Sequence, residues 1–162
     1  MGLSIILRLA TESDLPLMMA WRSSPVVFAG FYSQTKPLTW QEHLGWWKSR
    51  NRDWRCFIIE LLEGDILRPV GVLNIGQLES WTPELGLYLG ETSLWGRGIG
   101  AEALNLALLW LENNGYQATH TTIPKSNKRA MRLFSSAGFE KTGKARVGEI
   151  RVERILFKNL TR

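Results

Sequence analysis

Residues 91–115 read ETSLWGRGIGAEALNLALLWLENNG: a cluster of glycines, then a long apolar run. The run puts Leu104, Ala107, Leu108 and Leu111 on one stripe at the 3.6-residue period, which predicts a helix with one buried face. Asn113-Asn114-Gly115 supplies its stop. The glycines before it allow two anion-binding readings. Gly96-x-Gly98-x-x-Ala101 has the spacing of a dinucleotide fingerprint. The alternative spacing, Gly98-x-Gly100, suits a turn wrapped around a pyrophosphate. Glycines there let the backbone approach an anion closely, and a helix starting near Ile99 presents free N–H groups and the positive end of its dipole. Arg97 adds a cation at the same place.

The dinucleotide reading requires an Asp or Glu about 20 residues further on, at the end of the next strand, to bond a ribose hydroxyl. Here that strand ends TTIPKSN (121–127), with no acid. A phosphate-binding P-loop fails as well, since no Gly-Lys-Ser/Thr follows. A pyrophosphate turn and a plain strand-to-helix connection remain as alternatives on this stretch alone.

Working outward, SIILRLA (4–10) predicts a strand, and Thr11-Glu-Ser-Asp14 caps a helix running to about Trp21-Arg22, ahead of Pro25. Thr39-Trp-Gln-Glu42 is a capping box, which accounts for Glu42. The helix behind it places Trp40, His43, Leu44 and Trp47 on one apolar face. WRCFIIELL (54–62) and RPVGVLNIG (68–76) predict a hairpin turning at Glu63-Gly64-Asp65, and PELGLYLG (83–90) a third strand. QATHTTIP (117–124) is a threonine-rich strand. A short helix carrying Ala130, Leu133, Phe134 and Ala137 follows, stopping at Gly138, and two closing strands are expected over about 139–146 and 148–158. The order β-α-α-β-β-β-α-β-α-β-β mixes hairpins with crossovers and predicts an α/β (α+β) domain over residues 1–162, with a mixed, mostly antiparallel sheet and helices on both faces.

The chain has 162 residues, 44% hydrophobic and 22% charged, as expected of one ordinary globular domain. A single cysteine, Cys56, excludes a disulfide framework and predicts a reducing, cytoplasmic setting. His43 and His120 have no metal-ligand spacing, so no metal is expected. No stretch is apolar enough to cross a bilayer, and no membrane partner is expected. The net charge of +5 points to an anionic partner, but scattered Lys and Arg argue against nucleic acid.

PKSNKRAMRLFSSAGFEKTG (124–143) joins Asn127-x-x-Ala130-x-x-Leu133-Phe134 to Gly138-Phe139. Together with Glu84-Leu-Gly-Leu-Tyr-Leu89 and the glycine turn, it resembles the GNAT superfamily of acetyl-CoA-dependent N-acetyltransferases. The resemblance covers residues 4 to about 158 in element order, with its motifs in 84–139. The family pattern is Gln/Arg-x-x-Gly-x-Gly/Ala. Trp95 stands at its first position, a form similar to the ribosomal-protein N-terminal acetyltransferases and their small-molecule relatives. The resemblance implies acetyl-CoA as co-substrate. Backbone N–H groups of Arg97, Gly98, Gly100 and Ala101 would take its pyrophosphate, and the backbone of Leu87, Tyr88 and Leu89 its pantetheine arm. Asn127 would reach the pantetheine, and Arg129 or Lys128 the adenosine phosphates.

Acetyl transfer to an amine needs a neutral nitrogen, a held thioester, a stabilised oxyanion and a proton for the thiolate. An alkylammonium has a pKa of about 10.4 in water, so a base or desolvation must expose the lone pair. Glu84 is the first expected base and His43 the second; His120 is given no role. The family's usual acid is a Tyr where this chain has Phe134. Tyr88 or Ser135 could serve instead, water could protonate the thiolate, or the protein could bind acetyl-CoA without transferring it.

The acceptor walls are expected in AWRSSPVVFAGFYSQTKPLTWQEHLGWW (20–47). Trp21-Arg22-x-x-Pro25-x-Val27 with Phe31-Tyr32 and the later Glu42-His43 resembles acetyltransferases acting on nucleotide-linked amino sugars. A guanidinium at Arg22 suits a diphosphate, and Phe31 and Tyr32 suit a base or sugar ring. The alternative acceptor is a protein N-terminus or lysine, and a non-catalytic acyl-CoA sensor is a further alternative. An exposed closing strand could pair with a second subunit, giving a homodimer.

Overall fold

In the computed structural model, which describes residues 3–156, seven strands form one sheet whose two faces are both covered by helices. The strands are β1 (Ile5–Leu9), β2 (Trp54–Glu63), β3 (Ile66–Gly76), β4 (Glu84–Leu89), β5 (Ala118–Pro124), β6 (Glu140–Lys141) and β7 (Glu149–Ile155). The helices are α1 (Leu15–Arg22), α2 (Pro25–Phe28), α3 (Trp40–Lys48), α4 (Ile99–Asn113) and α5 (Lys128–Ser136). Across the sheet the order is β1-β2-β3-β4-β5-β7-β6. Every neighbouring pair is antiparallel except β4 and β5, which run parallel. The expected α/β architecture is the observed one.

Local signals account for most element ends. Glu63 pairs with Ile66, and Gly64 takes the left-handed φ of +62° that the tight β2–β3 turn demands. The box at Thr39 forms, Glu42 closing on it ahead of α3, and the cap at Thr11 is a box as well, Asp14 closing on Thr11 ahead of α1. Arg8 also grips Asp14 and Glu60 at 2.8 Å, tying β1 and β2 to the helix entry and holding the Asp14 carboxyl below its usual range. On α4 all of Leu104, Ala107, Leu108 and Leu111 are buried in the larger core, with Ile123, Phe134 and Phe139. Each fully buried leucine contributes about 1.5–3 kcal/mol, so α4 is a firm base for the turn at its start. Leu15, Met18 and Trp21 of α1 form a second core against Cys56, Ile58 and Val72 on the opposite face. Burial there pushes the Cys56 thiol up to about 12.

Three expectations need correction. α1 stops as predicted, but Pro25 then opens the short helix α2, because proline at a first helical position loses no hydrogen bond. The buried face of α3 centres on His43, with Trp46 stacked on it; Trp40, at the exposed start, is 42% accessible. Of the two closing strands, only Glu140–Lys141 and Glu149–Ile155 pair. Between them Gly143 and Gly148 adopt φ of +61° and +86°, which breaks the ladder into a loop. Residues 157 and 158 lie outside the described residues.

The feature that positions the site is a fork. β4 pairs with β3 along its whole length but with β5 only at Glu84–His120. Beyond that bridge the two strands separate.

Candidate active site

A cavity of about 1140 Å³ runs through the fork and joins both ends of the molecule's cleft. At one end lies the glycine turn. Gly96 and Gly98 adopt φ of +78° and +83°, conformations that strain any residue with a Cβ, and Gly98 caps α4. Trp95, Gly96, Gly98, Gly100 and Ala101 line the cavity there, whereas the Arg97 side chain does not. The guanidinium of Arg129 lies 3.8 Å from the Trp95 ring centre, so α5 brings a cation to the turn across the cleft. Asn127 caps α5 through Oδ1 to the Ala130 N–H at 3.0 Å, and its Nδ2 donates to the Gly30 carbonyl at 3.2 Å.

At the fork, the direction of each β4 peptide follows from the ladder. The Gly90 N–H donates to Val70, so Tyr88, Gly86 and Glu84, at every second position, turn their N–H and C=O groups toward β3. Leu85, Leu87 and Leu89 turn theirs the other way. The Leu89 carbonyl accepts from Trp95 Nε1 at 3.0 Å. The N–H groups of Leu87 and Leu89 face the opening where β5 has moved away. An extended thioester arm lying there would find strand-like donors at Leu87 and Leu89, while the Tyr88 peptide is committed to β3.

The far end is cationic and aromatic. Arg22 is held by Gln34 Oε1 at 3.0 Å, and its guanidinium lies 5.1 Å from the Phe31 ring centre. Arg50 sits 5.3 Å and 5.5 Å from the ring centres of Trp46 and Trp54. Neither guanidinium pairs with a carboxylate among the described residues. Burial lowers the Arg22 pKa, and the like charge of Arg50 adds to the effect.

The cleft thus joins a free strand edge at a parallel fork to a glycine turn at a helix N-terminus. Residues 4–140 match the model of the acetyltransferase (GNAT) domain. The chain belongs to the GNAT acetyltransferase family. It is 48% identical over 147 residues to the uncharacterized protein MJ1062 of Methanocaldococcus jannaschii, covering 90% of this chain and 30% of that protein. The chain therefore spans less than a third of that relative's length. A crystal structure of a domain from the same organism superimposes with a TM-score of 0.91 at 44% identity, over 95% of this chain and 99% of that one. The fold is also shared with the spermidine N-acetyltransferase of Vibrio cholerae, solved with CoA and spermine, at a TM-score of 0.78 and 14% identity over 94% and 95% of the two chains.

Within this GNAT domain the predicted catalytic residues separate. Glu84 lines the cleft at the fork, and Gln77 Nε2 donates to its Oε2 at 2.7 Å. Gln77 itself holds a φ of +56°, alone among the described non-glycine residues. His120, left without a role by its sequence context, is paired with Glu84 across the fork. Its Nδ1 donates to the Thr82 carbonyl at 2.8 Å and its Nε2 stands 3.9 Å from Glu84 Oε2. Burial, and next the charge of Arg151, lower its pKa, which keeps the ring neutral. Tyr88 lines the cleft edge-on to Phe31, and its hydroxyl is buried without a partner. Burial raises its pKa, keeping the phenol protonated.

His43 is not brought to the cleft. It is fully buried, bonded through Nε2 to the Leu15 carbonyl at 3.0 Å and stacked on Trp46, a packing position. Tyr32 also lies outside the lining. Its hydroxyl donates to the Val147 carbonyl at 2.5 Å and Arg146 covers its ring, so it ties down the 142–148 loop. Ser135 does not line the cleft, whereas Ser136 and Phe134 do. Phe134 packs edge-on against Phe139. Sequence reading missed Arg50, Trp54 and Asn74, all in the lining, and did not single out Trp46, which lies in the stretch expected to wall the acceptor and lines the cleft too. Of these, Asn74 carried a signal, a lone amide in the apolar run from Val70 to Gly76. Among the described residues no cluster of His, Cys, Asp and Glu could hold a metal, and no helix is long and apolar enough to cross a membrane.

Proposed function

We propose that this GNAT domain transfers the acetyl group of acetyl-CoA to a primary amine on a small anionic acceptor, and that an amino sugar joined to a nucleotide diphosphate is the acceptor class. The fork between β4 and β5 carries the reading, because it is a through-passage with a different chemistry at each mouth. The glycine-turn mouth suits the coenzyme: the left-handed Gly98 admits a pyrophosphate to the start of α4, and Arg129 stands beside it. The other mouth suits the acceptor. Two guanidiniums without carboxylate partners among the described residues call for an anion, and Phe31, Trp46 and Trp54 offer faces for a planar ring.

Acetyl-CoA supplies an activated thioester. The N–H of Leu87 or Leu89 points to where its carbonyl oxygen would lie, giving the oxyanion donor. Glu84, steadied by Gln77, takes the proton from the ammonium, directly or through water. The freed nitrogen bonds to the carbonyl carbon as the C–S bond breaks, and the nitrogen then loses its second proton to water or to the Tyr88 phenolate that protonating the sulfur leaves behind. Tyr88 replaces the usual tyrosine absent at Phe134 and gives its phenolic proton to the departing sulfur. Juxtaposing the reactants in the passage can itself contribute about 7–11 kcal/mol of barrier reduction.

The test is thiol release from acetyl-CoA with UDP-glucosamine, spermine and a short peptide carrying a free amine. Turnover highest on UDP-glucosamine, with the Arg22→Ala variant raising its KM about 10-fold or more while acetyl-CoA affinity holds, is the expected result. Turnover on the peptide alone would assign the domain to protein N-termini or lysines. Tight acetyl-CoA binding without thiol release on any amine would make it a sensor.

A further inference from the structure

On the face of β4 that meets the acceptor end of the cleft, Gly86 sits between Glu84 and Tyr88 and is paired with Asn74 of β3. A Cβ built on Gly86 would meet no atom within 4 Å, so the space over its Cα is open. β5 does not close it, because the β4–β5 pairing ends at Glu84. The result is a small bay with polar groups on three sides: the Glu84 carboxylate, the Asn74 amide and the Tyr88 hydroxyl. Two of these carry atoms that folding has left unsatisfied. Asn74 Oδ1 and Tyr88 Oη are both buried and neither has a hydrogen-bond partner among the described residues. Asn74 is also the one polar side chain on its face of β3, between Val72 and Gly76 and beside Cys56 of β2. A buried amide oxygen without a partner is destabilising, and an apolar residue of similar size would avoid that cost.

We propose that the bay over Gly86 seats the acceptor nitrogen, and that Asn74 Oδ1 orients it by accepting an N–H bond. The inference deepens the acetyl-transfer reading and rests on it. A primary ammonium brings three hydrogens. The first passes to Glu84 before attack. The second leaves as nitrogen bonds to the carbonyl carbon and the C–S bond breaks: Tyr88 gives its proton to the sulfur, and the phenolate so formed takes up the proton that the nitrogen releases. The third remains on the amide product, and this is the hydrogen Asn74 holds throughout. An N-methyl amine has no such hydrogen to keep, so Asn74 selects primary over secondary amines.

The experiment compares wild-type protein with Asn74→Leu and Gly86→Ala. UDP-glucosamine, spermine and a free-amine peptide are the probes, each beside its N-methyl analogue. Asn74→Leu is expected to lower kcat/KM for the primary amine about 10- to 100-fold, the worth of one hydrogen bond to a charged or reacting group. Preference over the N-methyl analogue should collapse with it, while acetyl-CoA Kd stays within about twofold and Tm does not fall. Gly86→Ala, whose methyl meets no protein atom, should leave Tm and acetyl-CoA Kd unchanged and reduce kcat/KM by filling the seat. Wild-type kcat/KM and amine preference in both variants would overturn the proposal. A fall in Tm together with coenzyme affinity in Asn74→Leu would also overturn it, marking the amide as structural. If wild-type protein releases no thiol with any probe, the transfer reading fails and takes this one with it, a result separate from active wild type with indifferent variants.

Discussion

Gly98 and Gly100 stand two residues apart at the mouth assigned to the coenzyme, yet the structure separates their roles. Gly98 has a φ of +83°, and a Cβ there would reach only Leu3 Cδ1, at 3.9 Å. The cost of Gly98→Ala is therefore conformational rather than steric, about 1–2 kcal/mol for a left-handed L-residue. For a domain of this size that lowers Tm by roughly 2–8 °C. Relaxing the turn to an ordinary φ would also swing the peptide N–H groups at the start of α4 away from a bound pyrophosphate. Losing one charge-assisted bond there weakens acetyl-CoA about 10- to 100-fold. Gly100 lies in the first turn of α4 at an ordinary φ, and its added Cβ would touch Leu133 Cδ2 at 3.5 Å, normal contact. Gly100→Ala should bind acetyl-CoA nearly as wild type and gain up to about 1 kcal/mol, because alanine is the better helix former. Calorimetric titration with acetyl-CoA and thermal melts of both variants make the comparison. Equal affinities, or Gly98→Ala melting with wild type, would refute a conformational role for the turn.

Two further outcomes are expected. Tyr88→Phe removes the proposed proton donor together with a buried unpartnered hydroxyl, so kcat should fall roughly 100-fold while Tm holds or rises. Adding Phe134→Tyr should restore part of the rate, and unchanged kcat in Tyr88→Phe would remove the phenol from the chemistry. His43 and His120 are both buried, and burial lowers both pKa values from the ordinary 6.5. As pH falls below about 6.5 the unfolded chain takes up these protons before the folded one, so stability drops by up to about 1.4 kcal/mol per pH unit for each ring until the folded values are reached. Melts at pH 7.5 and 5.5 check this: the lower pH should melt earlier, and equal Tm values would show that the rings are not held neutral.

Whatever depends on neighbours along the chain was legible before any fold was known. The helix cap at Thr11, the capping box at Thr39, the two-residue turn at Gly64, the buried stripe of α4 and the glycine turn before it are local, and their periodicities and turn residues were readable one segment at a time. The acetyltransferase resemblance rested on these same short motifs and needed no knowledge of what packs against them. Tertiary structure decided the rest, because it depends on contacts between distant segments. Nothing in PELGLYLG or QATHTTIP states that the two strands meet at Glu84–His120 and then part, yet that fork makes the passage. His43 looked like a base and Tyr32 like a ring platform. Burial against Leu15 and Trp46 consumed the first, and the 142–148 loop, 115 residues away, claimed the second. Arg50, Asn74 and Trp54 gained their place in the cleft only when β2, β3 and α3 came together around it, since an alternating strand or an amphipathic helix specifies which side chains share a face, not which distant face will lie opposite.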